Sequence, residues 1–150
     1  MKKLFIAVLL GMFLLSACSK NGEEVRAGKY GMMGDDTPQY TAVLFMRAVY
    51  NDKNLDRVIA MSSKRFKRIV KGYHTNKNVQ RQVFSLRLDS MVTEPVSGGS
   101  MLFSERQEKA DIEMKITGEY NGNKIIELKT LSMLKEDGDW KVDKVLNTVP

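Results

Sequence analysis

Apolar and polar positions along this chain change period twice. Residues 4–15 form one unbroken apolar run, Leu-Phe-Ile-Ala-Val-Leu-Leu-Gly-Met-Phe-Leu-Leu. Between residues 38 and 71 apolar side chains recur at helical spacing, and from Val79 onward they alternate with polar ones. A period near 3.6 predicts helices with one buried face, and a period of two predicts half-buried strands.

The helical part opens at Asp36-Thr37-Pro38, with Thr37 as N-cap and Pro38 at the first helical position. Ala42, Phe45, Met46 and Val49 then share one face, and Val43, Leu44 and Ala48 widen it, which predicts a largely buried helix. Asn51-Asp52-Lys53-Asn54 breaks it. Leu55, Val58 and Ile59 mark a short second helix. Ser62 or Ser63 caps a third, in which Phe66, Ile69 and Val70 form a narrow apolar face and Gly72 supplies the stop.

In the alternating part, Phe84, Leu86 and Leu88 oppose Val83, Ser85 and Arg87, which predicts a strand begun near Val79. Residues 101–104 form a second expected strand, after Pro95 and Gly98-Gly99. Ile112, Met114, Ile116 and Tyr120 alternate with Glu113, Lys115 and Glu119 on a third. Asn121-Gly122 is a strong hairpin signal, because both central residues of the tight turn need positive φ. Ile126, Leu128, Thr130, Ser132 and Leu134 are expected on one face of the return strand. Asp137-Gly138 makes a second turn into a last strand carrying Trp140 and Val142, with Trp140 mostly buried. Helices followed by an antiparallel meander make an α+β layout, with helices on one face of a sheet.

The N-terminus adds a location. Lys2 and Lys3 precede the apolar run, and Ser16, Ala17 and Cys18 follow it. The run is shorter than the roughly 20 residues of a bilayer span and fits a signal-peptide core of about 7–15. Leu15-Ser16-Ala17-Cys18 resembles the lipobox of bacterial lipoproteins. That resemblance implies a leader over residues 1–17, a diacylglyceryl group on the Cys18 thiol, an acylated amine such as a palmitate amide, and membrane attachment. By the sorting pattern of such proteins in Gram-negative cells, Ser19 implies the outer membrane, facing the periplasm. Residues 18–36 read as a lipidated cysteine and flexible tether, with an end-to-end distance of about 23 Å. Met32 and Met33 within it belong to no predicted element. Residues 37–150 remain as a single domain. Cys18 is the chain's one cysteine, so lipid on it leaves the domain without disulfide, thiol nucleophile or cysteine ligand.

Charge is unevenly spread within a net +6. Residues 64–87 hold Lys64, Arg65, Lys67, Arg68, Lys71, Lys77, Arg81 and Arg87 and no acid. Lys64, Lys67, Arg68 and Lys71 fall on one helical side at i, i+3, i+4 and i+7. They are either a solvated face balanced by acids elsewhere in the fold or a contact for anionic lipid or an acidic envelope protein. An exported location argues against nucleic acid as the partner of this basic chain.

No phosphate loop, nucleophile elbow or spaced set of metal ligands occurs, and no cofactor is expected. His74, the one histidine, lies in Gly72-Tyr73-His74-Thr75-Asn76 and reads as a solvated turn residue. Of ten methionines, Met1 and Met12 fall in the leader. The others scatter from Met32 to Met133, which suits core filling better than a Cu(I) cluster.

Thr37-Pro38 opening a long apolar helix, Asn51-Asp52-Lys53-Asn54-Leu55-Asp56 leading into Val58-Ile59-Ala60-Met61-Ser62, and the ending Lys135-Glu136-Asp137-Gly138-Asp139-Trp140-Lys141-Val142 carry a further resemblance. Over about residues 37–146 the chain resembles the nuclear transport factor 2-like superfamily, nearest its small bacterial lipoprotein branch of unknown function. The resemblance implies a cone, a strongly bent antiparallel sheet wrapped on helices with a cavity at its wide end. A cystatin-like roll is the alternative fold. The resemblance leaves two functions open. One is a non-catalytic binding or scaffold domain of unknown ligand. The other is an isomerase, dehydratase or hydrolase using acids, Tyr or His inside the cone, with Tyr40, Tyr50 and Tyr120 as candidate phenols. Glu113 and Glu127 each sit between apolar residues and so on the opposite face from them; if the apolar set faces the cone, these carboxylates are expected to face water, against the enzyme.

Overall fold

The computed structural model describes residues 36–96 and 108–147, and the account below concerns these. The leader expected at residues 1–17, Cys18, the expected tether up to residue 35 and the strand expected at residues 101–104 lie outside the described residues. Among the described residues no helix is long and apolar enough to cross a membrane.

Helix α1, Pro38–Asn51, begins as its sequence dictates. The Tyr40 N–H donates to Thr37 Oγ1 at 3.3 Å, and Pro38 occupies the first turn, where its missing N–H costs nothing. Ala42, Phe45, Met46, Ala48 and Val49 are fully buried. Helix α2, Asp56–Ala60, buries Val58 behind a buried Leu55. Helix α3, Lys64–Gly72, is capped by Ser63, whose Oγ accepts from the Phe66 N–H at 3.0 Å. Phe66 and Val70 face the core, one turn apart. Ile69, expected beside them, is 40% exposed. The helix lies along one edge of the sheet and buries only a two-residue stripe. Gly72 is the last helical residue, and the left-handed position after the helix is His74, at φ 63°.

The strand expected from Val79 is instead helix α4, Asn76–Gln82, capped by Thr75 through the Asn78 N–H at 3.2 Å. Val79 is fully buried as a helical residue. The helix is held by two side-chain amides one turn apart. Asn76 Nδ2 donates to the carbonyls of Ala48 (2.9 Å) and Asp52 (2.8 Å), and Gln80 Nε2 donates to that of Val49 (3.0 Å). Carbonyls at the end of α1 run out of helical partners, and these amides reach them, adding at Ala48 a second bond to the one from the Asp52 N–H at 3.4 Å. Phe84 and Leu86 are buried as the alternation suggested, but from a turn kinked at Ser85 (φ 51°) rather than from a strand.

The strands are β1 Ser90–Pro95, β2 Lys109–Tyr120, β3 Asn123–Glu136 and β4 Asp139–Asn147. They form an open antiparallel sheet in the order β1-β2-β3-β4, with the helices N-terminal to it. The expected α+β class therefore holds. Both expected turns form, Asn121-Gly122 at φ 51° and 78° and Asp137-Gly138 at φ 55° and 93°. Trp140 is 8% exposed and belongs to the core. Gly118 packs where a side chain would collide with the Ser90 carbonyl and with Leu88 Cδ1, 2.7 Å from an added Cβ. The β4 edge is covered. Val142 donates to the Met61 carbonyl and accepts from the Ser63 N–H, both at 2.8 Å, so the segment between α2 and α3 adds one parallel bridge.

The first hairpin fixes which face each residue of β3 takes. Asn121-Gly122 pairs Tyr120 with Asn123, which sets Ile116 opposite Glu127, Met114 opposite Lys129 and Ile112 opposite Leu131. Directly opposed residues share a face. Ile112, Met114 and Ile116 point into the core, so Glu127 and Lys129 share that inner face. Ile126 and Leu128 lie on the outer face, 56% and 38% exposed. Ile126, Leu128, Thr130, Ser132 and Leu134 do share one face, as expected, but it is the outer one, and Glu127, expected to face water, is on the core side. Glu113 does lie on the outer face, as expected.

Candidate functional site

The basic side of α3 separates into two parts. Lys64 is engaged with the second hairpin: its Nζ lies 3.3 Å from Asp137, and its N–H donates to the Glu136 carboxylate at 3.0–3.2 Å. Among the described residues, no carboxylate lies within ion-pair distance of Lys67, Arg68 or Lys71. Ile69, 40% exposed, lies on a different side of the helix, about 160° around the axis from Lys67 and Lys71. The surface is thus a cationic patch of three side chains on one side of α3. Of the four basic residues expected on one helical side, Lys67, Arg68 and Lys71 carry no ion pair among the described residues, and Lys64 is paired with the second hairpin.

The structure also ties down Arg65, which the sequence did not single out. Its Nη2 meets Asp143 Oδ2 at 2.7 Å and the Asp143 carbonyl at 2.6 Å. Asp143 is the extra residue where the β3–β4 register shifts, since Ser132 pairs with Lys144 and Met133 with Val142. A bulge re-aims the side chain it carries. Here it brings Asp143 to Ser63, whose Oγ donates to Oδ1 at 2.5 Å. The Arg65 hydrogen bond holds the Asp143 carboxyl below the usual carboxylate range, against a smaller opposing push from burial.

The second constellation is on the inner face of the sheet. Lys129 is only 5% exposed. Its Nζ lies 2.8 Å from Glu127 Oε2 and donates to Asn147 Oδ1 at 2.9 Å. Tyr50, on the last turn of α1, meets the Phe84 ring edge-on and donates its hydroxyl to the Leu86 carbonyl at 3.0 Å. Burial first, and Glu127 second, push the Tyr50 phenol well above its ordinary value. A phenol so held donates a hydrogen bond and is not a base at neutral pH. Of the three expected phenols, Tyr50 alone is placed against an acid of the inner face. Tyr120 stacks under the Arg87 guanidinium at 5.6 Å. The signal for this group was countable. Stepping across Asn121-Gly122 from the apolar set of β2 lands on Glu127 and Lys129.

The other sequence candidates stay apart. His74 is exposed on its turn. Met46, Met114 and Met133 are buried in the core, and Met61 and Met91 pack against it. Among the described residues no group of three His, Cys, Asp or Glu side chains could hold a metal ion. No protein-family model, no curated protein and no solved structure matches this chain.

Proposed function

We propose that this chain is a lipoprotein of the cell envelope, anchored through lipid on Cys18 to the outer membrane and facing the periplasm. Its domain over residues 37–150 is a non-catalytic binding or scaffold module of the nuclear transport factor 2-like type. Four helices preceding an antiparallel meander support that type over the cystatin-like roll, which offers one helix. The observation that carries the functional reading is the patch of Lys67, Arg68 and Lys71, three cations on one helical side with no carboxylate at ion-pair distance among the described residues, which suits an anionic lipid surface or an acidic envelope protein. Near an anionic membrane each such cation adds about 1 kcal/mol, within a Debye length of about 8 Å. The test uses residues 19–150, so that lipid does not mask weak attraction. The protein should sediment with anionic vesicles at low salt and release as salt rises. The triple variant Lys67→Gln, Arg68→Gln, Lys71→Gln should lose that binding with its fold intact, and equal binding by both proteins overturns the reading. The anchor is tested separately: Cys18→Ser should leave an unprocessed precursor, and wild type should take up a fatty-acid label.

A second reading is supported by Glu127 and Lys129 on the inner face, near Tyr50. In it the cone holds a small substrate and acts as an isomerase, dehydratase or hydrolase. Binding of a small apolar carbonyl compound by wild type, lost in Glu127→Gln, is the result that would favour it.

A further inference from the structure

A cleft of about 360 Å³ opens where the described chain begins. Asp36, Tyr40 and Leu44 form one wall, Met61 the floor, and Trp140 with the Gly138–Lys141 segment the other wall. At about 30 Å³ per liquid water, it has room for about a dozen waters, or for a long side chain. Its lining is largely apolar and aromatic. Of its three charged residues, Asp139 and Lys141 are paired with each other at 3.1 Å, and Lys141 also donates to the Ala60 carbonyl at 3.2 Å; Asp36 is an exposed residue at the mouth, where the chain enters.

We propose that the occupant is the chain's own Met32-Met33 pair. The argument starts from where the chain enters. Asp36 lines the cleft, and Met33 is three residues away, within a reach of at most about 11 Å. The pair is flanked by Gly31 and Gly34. A glycine at each end lets the backbone turn sharply away from the start of α1 and back again. The chemistry matches as well. A thioether on an unbranched, three-bond side chain fills irregular gaps and packs well on ring edges, and this cleft presents the rings of Tyr40 and Trp140. The inference also gives a role to two apolar residues that sit in an otherwise polar stretch. Docked this way, the pair fastens the N-terminal segment to α1 and β4 and fixes the side of the domain from which that segment leaves. The docking stands whether or not Cys18 carries lipid.

Trp140 is the chain's only tryptophan, so its fluorescence reports on the cleft directly. The test uses the full-length protein. In Met32→Ser/Met33→Ser, collisional quenching of Trp140 by acrylamide should rise several-fold, while Tyr30→Ser, just outside the pair, should leave it unchanged. In the wild-type protein, peroxide should convert Met32 and Met33 to sulfoxides several-fold more slowly than in the same chain unfolded in denaturant, read by peptide mass spectrometry. Unchanged quenching in the double variant, or oxidation as fast as in the unfolded chain, overturns the proposal. Protection that disappears on dilution also overturns it, because the occupant would then come from a second copy.

Discussion

Strands β2 and β3 lie side by side over twelve paired positions, yet their inner faces differ. On β2 the inward residues Ile112, Met114 and Ile116 are uniformly apolar and buried. On β3 the inward series begins apolar at Met133 and Leu131 and becomes charged at Lys129 and Glu127. Local pattern alone reads the two strands alike, as alternations of apolar and charged residues. The hairpin decides otherwise, because a slip of one residue exchanges the two faces of a strand. A side chain's environment in β3 is thus dictated by its partner across the ladder, and its own neighbours mislead.

The sharpest break of this comparison is between two isoleucines. Ile116→Ala, on the inner face of β2, should cost about 2–5 kcal/mol. Ile126→Ala, on the outer face of β3, should stay within about 0.5 kcal/mol. Denaturant midpoints at unchanged slope measure both, and equal losses would mean that the register is wrong.

A smaller effect separates the charged half of β3 from its apolar half. Glu127→Gln leaves the Lys129 ammonium buried with Asn147 as its remaining partner and should cost about 1–3 kcal/mol. Lys129→Met restores the apolar character seen across the ladder at Met114. It should cost little, since the buried ammonium's desolvation penalty goes with it and the Glu127 carboxylate left behind is 39% exposed and stays hydrated. A large loss in Lys129→Met would assign the lysine a role beyond the fold.

Tyr50 sharpens the comparison on the alkaline side. Its phenol titrates higher in the folded protein than the ordinary value of about 10. The stability linked to it is therefore complete below about pH 10 and falls as pH rises toward the folded value. Tyr50→Phe should cost about 0.5–1.5 kcal/mol at neutral pH through the lost bond to Leu86 and should flatten that alkaline decline. Unfolding curves from pH 8 to 11 measure it.

Asp143, in the bulge beyond β3, carries the smallest effect. Its folded value is depressed, so its contribution is present above about pH 4 and is lost as pH falls through the folded value. Asp143 is partly exposed (22%) and its partner Arg65 about half exposed (49%), so solvent screens the pair, which limits Asp143→Asn to about 1 kcal/mol. Acid unfolding midpoints of the two proteins should nearly coincide, and a wide gap would mean that the bulge itself depends on the charge.

What was legible in the sequence was local. Thr37-Pro38, Ser63 and Asn121-Gly122 each specify an element boundary through their own backbone chemistry, and each appears as expected. Helix α4 was not legible, because Val79 and Val83, four apart, fit one helical face and one strand face equally. Thr75, three residues before a backbone N–H it accepts from, was the available clue. The candidate site was half legible. Lys67, Arg68 and Lys71 follow from helical spacing. The exposure of Ile69 depends on where the sheet edge runs, and the Arg65–Asp143 pair joins residues 78 apart. Lys129 lay hidden beside Leu128, although counting across the turn would have exposed it.

The bridge between Ser63 and Asp143 has a bearing on timing. It joins positions 80 apart, and the last strand carries half of it. A polypeptide delivered N-terminus first, from a ribosome or an export channel, presents α3 long before residue 143 arrives. Until then Ser63 and Arg65 lack Asp143, and the sheet edge that α3 lies along does not exist. Closing so long a loop is also slow. The emerging chain therefore stays open and threadable, and the domain locks only once nearly all of it is out.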